Sequence, residues 1–100
     1  MPVKILMTWD ISQESEQRYF EFAISEFVPG VQRLGFHPLE AWATLYGDYP
    51  QIQVGMMASD IESAQEALNS TAWIELREKL FEYVDDFSYK IVPARSGFQF

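Results

Sequence analysis

The order in which strand-type and helix-type patterns alternate constrains the fold more than any other feature of the sequence. Residues 3–9 are rich in β-forming side chains and predict a first strand. Large apolar residues within 13–28 then recur at three- and four-residue steps, which is typical of a helix. Two strands are predicted over Leu39–Gly47 and Gln51–Ala58, joined by a turn over residues 47–50. The first half of the chain therefore indicates one strand, one helix and a hairpin.

The second half adds a helical region and a last strand. Helical periodicity extends from Ile61 to about Val84 with an interruption near residues 69–71, and Ser59 and Glu62 have the spacing of a capping box. Residues 87–92 predict the fourth strand. The complete order is β-α-β-β-α-β, which is the ferredoxin-like arrangement. We therefore predict a single α+β domain over residues 1–100, with two helical regions on one face of an antiparallel four-stranded sheet.

The two faces of this sheet differ in character because successive side chains on a strand point to opposite sides. One set is apolar and often small, and we assign it to the face beneath the helices. This set is Val3, Ile5, Met7, Ala41, Ala43, Leu45, Ile52, Val54, Met56, Ala58, Tyr89 and Ile91. The opposite set mixes aromatic, apolar and polar side chains, and its members are our candidate cavity-lining residues. These candidates are Leu6, Thr8, Glu40, Trp42, Thr44, Tyr46, Gln53, Met57 and Lys90.

Two helical regions cannot cover both faces of a four-stranded sheet. Contiguous exposed apolar surface usually marks an interaction site, so the second face must meet another copy of the chain, a partner or a ligand. A two-fold dimer is the simplest solution, because one patch serves both subunits. We expect a homodimer formed through this sheet face, with a small apolar or aromatic molecule as the candidate ligand.

Composition excludes several classes of function. Fifteen acidic residues against seven Lys and Arg give a net charge of −8, which argues against nucleic acid or an anionic membrane as partner. The sequence has no cysteine and one histidine, so we expect no metal site, and no glycine-rich phosphate cradle points to a nucleotide cofactor. We expect neither a signal peptide nor a membrane-spanning segment, and we expect a cytoplasmic protein that needs no cofactor.

Few individual side chains suggest catalysis. His37 is the single histidine, and we interpret it as a solvated residue of a connection rather than an acid–base group. Either Asp10 or Ser12 is expected to cap the first helix, and we interpret Asp10 as a cap rather than as a general base.

Other polar and aromatic residues have structural and functional interpretations. Lys4, Glu40 and Lys90 are expected to neutralise one another across adjacent strands, although a desolvated Glu40 would be a base. Tyr46 is the preferred hydrogen-bonding group for a ligand, because a buried tyrosine hydroxyl needs a partner. Trp73 is expected in the core, as the first large residue of an amphipathic helix.

The whole pattern resembles the dimeric α+β barrel superfamily, which includes NIPSNAP-like, antibiotic-biosynthesis-monooxygenase-like and haem-degrading proteins. The resemblance rests on the element order, on residues 27–30 at the end of the first helix, and on residues 71–73 before the strand at 87–92. It implies a homodimer whose two sheets form a barrel with a small-molecule cavity in or beside it.

The resemblance does not extend to haem degradation. Haem-degrading members have an asparagine on the first strand, a helical tryptophan and a later haem-ligating histidine on the same helix. Only Trp73 matches, because the first strand offers Thr8 and Asp10 and no histidine follows Trp73.

The sequence therefore predicts a homodimeric small-molecule-binding or structural protein without an assignable reaction. The alternative is a cofactor-independent monooxygenase, or a related enzyme, acting on a small aromatic compound. Its pocket would be lined by Trp42, Thr44, Tyr46 and Met57.

Overall fold

Four antiparallel strands form the sheet on which the molecule is built. The computed structural model describes residues 1–46 and 49–94, and the side chains of residues 42, 44–46, 49 and 50 lie outside this description. The strands are β1 Val3–Ile11, β2 His37–Tyr46, β3 Tyr49–Ala58 and β4 Val84–Pro93. Their order across the sheet is β2-β3-β1-β4, with every neighbouring pair antiparallel. This topology confirms the predicted ferredoxin-like α+β fold.

The strands are longer than the sequence patterns predict. β1 continues past Trp9 to Ile11 because both of these side chains are buried in the core, at 1% and 0% exposure. β3 begins at Tyr49, so the predicted four-residue turn is wrong in its second half, and residues 47 and 48 are outside the described residues. β4 begins at Val84, where a helix was expected to end, and its pairing with β1 shifts register between Thr8 and Asp10.

The first helical region is continuous but changes pitch. It consists of α1 Glu16–Phe22, a π-helical turn Ala23–Phe27 and α2 Val28–Arg33. In the wide turn the backbone N–H of Val28 donates to the carbonyl of Ala23, five residues earlier. Pro29 then lies in the first turn of α2, where a missing N–H costs little. The proline therefore lies at the start of a further helical segment.

The second helical region is divided as predicted. It consists of α3 Ile61–Leu68 and α4 Thr71–Leu80. The side chain of Asp60 caps α3 by accepting from the backbone N–H of Ser63 at 2.7 Å, so the predicted capping residue Ser59 is wrong by one position. Among the helices of the described residues, none combines the length and apolar character needed to cross a bilayer.

All of the helices pack against one face of the sheet. Side chains of β1 and β3 on that face are buried, and Trp73 of α4 is 1% exposed, which confirms its assignment to the core. Parts of the two edge strands are less covered by the helices. Ala41 and Ala43 of β2, expected beneath the helices, are exposed, and Tyr89 of β4 is 47% exposed. The opposite side, here called the open face, has no helix over it.

Candidate ligand-binding cleft

A cleft of about 450 Å³ separates the first helical region from strands β2 and β3. We call it the helix-side cleft. Its helical wall is formed by Tyr19, Phe20, Ala23, Phe27, Val28 and Val31. Its opposite wall comes from β2 and β3, and Trp9 of β1 contributes to its floor. The volume is within the range of small-molecule sites, about 300–1,000 Å³.

Small side chains on the edge strand account for the opening. Ala41 and Ala43 occupy the positions of β2 that face the helices, and their short side chains line the gap beside α1 and α2. Apolar residues that remain exposed surround the entrance: Phe20 is 46% exposed, Val28 40% and Leu39 52%. Exposed apolar residues clustered around a concavity are typical of a binding site.

Trp9 is held by aromatic contacts from several elements. Its ring stacks on Phe87 of β4, with centroids 5.9 Å apart, and meets the ring of Phe27 edge-on at 5.5 Å. A third edge contact joins it to Tyr19 of α1 at 6.4 Å. Such pairs stabilise a site beyond the area that they bury, by about 0.5–1.5 kcal/mol each. The floor of the cleft is therefore rigid.

The hydroxyl of Tyr19 is the polar feature of the cleft. The Nε1–H of Trp9 donates to it at 3.1 Å, which satisfies the buried indole. Burial raises the pKa of Tyr19 above its ordinary value of 10.0, although the hydrogen bond from Trp9 opposes this effect. Tyr19 is therefore a neutral hydroxyl at physiological pH and can donate a proton in a hydrogen bond, but it is not a base.

The remaining lining is almost entirely apolar. Among the described lining residues Glu40 alone is charged, and its carboxylate forms an ion pair with Lys4 on the open face. No described Lys, Arg or His lines the cleft. The arrangement therefore suits an uncharged apolar molecule, because a buried charge needs a partner.

The sequence-predicted candidates lie on the open face instead. Leu6, Thr8, Gln53 and Lys90 surround a shallow depression of about 330 Å³, where the hydroxyls of Thr8 and Ser88 are 2.9 Å apart. Of these candidates, Leu6, Thr8 and Gln53 are half-buried and Lys90 is exposed. The depression brings together four of the nine candidates.

The other candidates are spread along the same face. Met57 is half-buried opposite Lys4, and Glu40 forms the ion pair with Lys4 that the sequence predicts. Lys90 is paired with Leu6 across the strands and does not join the Lys4–Glu40 ion pair, so this part of the predicted network is wrong. The side chains of three further candidates, Trp42, Thr44 and Tyr46, lie outside the described part of the structure.

Asp10 does not cap the first helix. It lies within β1, opposite Gln51 on one side and Asp85 on the other, and the residue preceding α1 is Ser15. The prediction was wrong because β1 is longer than its sequence pattern. Partial burial and repulsion by Asp86 and Asp85 raise the pKa of Asp10.

His37 is exposed, as predicted, although it is the first residue of β2 rather than part of a connection. It does not line the helix-side cleft.

Pattern analysis of the sequence missed Trp9 and Tyr19 as site residues. The alternation of side chains along β1 identifies Trp9 as buried, because Trp9 continues the buried series of Ile5 and Met7. Tyr19 belongs to the apolar stripe of the first helix, where a tyrosine hydroxyl requires a polar partner. These two observations place an indole N–H and a tyrosine hydroxyl in the same buried layer, where each needs a hydrogen-bond partner.

Solved structures with the same architecture identify the fold. A NIPSNAP family protein from Agrobacterium tumefaciens superposes with a TM-score of 0.75 at 12% identity, covering 96% of this chain and 95% of that one. An uncharacterised NIPSNAP-like domain protein from Burkholderia xenovorans gives a TM-score of 0.72 at 14% identity, over 98% of this chain and 89% of its own. The chain has the same ferredoxin-like α+β fold as these proteins.

The same fold occurs in an enzyme. SnoaB, a cofactor-independent oxygenase from Streptomyces nogalater, gives a TM-score of 0.68 at 13% identity, covering 96% of this chain and 95% of that one. No protein-family model and no curated protein matches the sequence. Several structures with this fold are described as uncharacterised or of unknown function.

Proposed function

We propose that this chain is a homodimeric protein that binds a small apolar or aromatic molecule in the helix-side cleft. The observation that carries this proposal is the cleft itself, with its apolar walls, its exposed apolar entrance and a hydrogen-bonded Trp9–Tyr19 pair at its floor. Apolar pockets with a few placed polar groups are typical small-molecule sites. The proposal assigns no reaction to the chain.

The open face supports the proposed dimer. Its described apolar side chains Leu6, Met57 and Val92 are only half-buried within one chain, and no helix covers them. Charge distribution favours the same surface. The chain carries a net charge of −8, whereas the middle of the open face carries the mutually neutralised Lys4 and Glu40 and one further cation, Lys90. The low net charge in the middle of the open face reduces the repulsion between two acidic chains that meet there.

The absence of cysteine supports a cytoplasmic setting for this function, as a further part of the proposal.

Binding is tested with a neutral fluorescent probe, N-phenyl-1-naphthylamine, whose emission rises in apolar surroundings. We expect the wild-type chain to bind it and to transfer excitation from Trp9. Ala43→Leu adds bulk to the cleft wall and is expected to weaken binding by about tenfold. Ala72→Leu, an equal change at an exposed position of α4 outside the cleft, is the matched control and is expected to leave binding unchanged.

Two results would contradict this assignment. If no neutral aromatic probe binds to the wild-type chain, the proposed function is wrong. If Ala43→Leu and Ala72→Leu bind the probe equally well, the molecule is bound at a surface other than the helix-side cleft.

A further inference from the structure

The Tyr19 hydroxyl has a hydrogen-bond donor that no described residue accepts. Its oxygen accepts from the Nε1–H of Trp9, so its own O–H must point in another direction. Tyr19 is 4% exposed and lines the helix-side cleft. A buried hydrogen-bond donor without an acceptor is unfavourable in free energy. The cleft therefore favours bound molecules that supply an acceptor over those that do not.

The direction of this hydrogen bond is fixed by Trp9. The indole N–H can only donate, so it always occupies an acceptor site on the tyrosine oxygen. The indole ring is in turn held by Phe87 and Phe27. The Tyr19 hydroxyl is therefore oriented as a donor before any molecule enters, which reduces the entropy lost on binding.

Electrostatics restrict the acceptor to an uncharged group. The cleft has no described cationic side chain on its lining, and the chain carries a net charge of −8. A carboxylate or phosphate would be buried without a counterion and repelled by the acidic surface. The raised pKa of Tyr19 keeps its proton in place at physiological pH.

We infer that the helix-side cleft selects uncharged, mainly apolar molecules that carry one hydrogen-bond acceptor oxygen, such as a ketone, quinone or ester carbonyl, and that the Tyr19 hydroxyl donates to this oxygen. The inference rests on the proposed function and specifies its ligand class. Tyr19 is a binding and specificity-determining residue in this scheme, and Trp9 is its positioning residue.

The test compares three probes of nearly equal shape: 1-indanone with a carbonyl, indane without one, and indane-1-carboxylate with a charge. Each is titrated as a competitor of N-phenyl-1-naphthylamine. We expect the ketone to bind the wild-type chain about three- to tenfold more tightly than the hydrocarbon, corresponding to one hydrogen bond. We expect the carboxylate to bind more weakly than both.

Two variants locate the effect. Tyr19→Phe removes the hydroxyl and keeps the ring, so indane is expected to bind as before while the preference for the ketone is reduced. Tyr83→Phe removes a hydroxyl from a half-buried tyrosine outside the cleft and is the matched control, with the preference unchanged. In case Tyr19→Phe does not fold, the infrared carbonyl band of bound 1-indanone is measured on the wild-type chain, where a hydrogen bond lowers its frequency relative to hexane.

The outcomes separate the inference from the proposed function. If indane and 1-indanone compete equally well and the carbonyl band stays at its hexane frequency, the inference is wrong while apolar binding in the cleft stands. If the carboxylate binds most tightly, the uncharged class is also wrong. If N-phenyl-1-naphthylamine binds but none of the three probes competes with it, the inferred ligand class is wrong. If neither the naphthylamine nor any of the three probes binds, the proposed function fails as well.

Discussion

Lys4 and Glu40 form an ion pair across the full width of β3, although β1 and β2, which carry them, are not neighbours in the sheet. The pair passes over Gly55 on the open face. A Cβ atom at Gly55 would lie 2.8 Å from Oε1 of Glu40 and 2.9 Å from Cε of Lys4. The glycine therefore provides the space in which side chains from two strands, separated by a third, form an ion pair. One consequence is that both charges are neutralised on the surface proposed for dimer formation.

The dependence of this ion pair on Gly55 is tested by a double-mutant cycle. Lys4→Met and Glu40→Gln are made singly and together, first in the wild-type chain and then in a Gly55→Ala background. We expect a coupling energy of about 0.2–1 kcal/mol in the wild-type chain, because both side chains are partly exposed, and almost none with alanine at position 55. Urea unfolding measures each free energy. An equal coupling energy in both backgrounds would show that the alanine methyl is accommodated without displacing the pair.

Asp10 is expected to destabilise the fold at neutral pH, since it lies directly opposite Asp85 and beside Asp86. Its pKa is raised above 3.8 in the folded chain, so the folded state binds this proton more tightly than the unfolded state. The stabilisation that comes from protonating Asp10 is therefore complete below pH 3.8. It is lost as the pH rises through the pKa of Asp10 in the folded chain. Asp10→Asn should raise the free energy of unfolding at pH 7 by about 0.2–1 kcal/mol, with little change at pH 3.

The pKa of Asp60 is shifted in the opposite direction to that of Asp10, so Asp60 serves as a control for that experiment. The backbone N–H of Ser63 donates to its carboxylate and lowers its pKa below 3.8. Its stabilising contribution is therefore present above pH 3.8 and is lost as the pH falls through the depressed folded value. We expect Asp60→Ala to lower stability at pH 7 and the difference to shrink in acid, as followed by urea unfolding. Parallel pH profiles for Asp10→Asn and Asp60→Ala would contradict both assignments.

Gly30 allows a close contact between α2 and α4. A Cβ atom there would lie 2.7 Å from Cδ2 of Leu76, so Gly30→Ala forces the leucine to move. Alanine is favoured over glycine in a helix by about 1 kcal/mol, and this gain is offset by the contact. We therefore expect little net change in the wild-type chain, but a gain of about 1 kcal/mol when Leu76→Ala has removed the obstruction. Thermal and urea unfolding of the four chains measure the difference, and an equal effect in both backgrounds would refute the contact.

Much of the fold follows from local patterns. Parity along β1 and β3 places Ile5, Met7 and Met56 on the buried face, and the helix break before Trp73 is visible in residues 69–71. Element ends were less predictable. The register shift in the β1–β4 pairing, which begins after Thr8, and the π-helical turn before Pro29 depend on tertiary packing, which one-dimensional periodicity does not contain.

The candidate site was harder to predict than the fold. Small residues such as Ala41 and Ala43 are equally consistent with a closely packed helix and with an empty space beside one. The choice depends on how far the first helical region extends over β2, which is a property of the assembled layers. The sequence therefore directed attention to the open face, whose mixture of apolar and polar residues is conspicuous, and not to the cleft beneath the helix.

The proposed dimer makes a separate prediction about Leu6. This residue is half-buried near the centre of the open face, so Leu6→Glu would replace an apolar contact with a carboxylate that must be desolvated between two sheets. Its attraction to Lys90, which lies opposite, does not compensate for this cost. We expect sedimentation at micromolar concentration to give a two-chain mass for the wild-type protein and a one-chain mass for Leu6→Glu, with the dissociation constant raised at least about tenfold. Ile24→Glu, at a position that is 76% exposed on the helical layer, introduces the same charge and should leave the dimer intact. A wild-type chain that sediments as a single copy would refute the open-face interface. Probe binding in the helix-side cleft would still be tested independently, because the described lining of the cleft belongs to one chain.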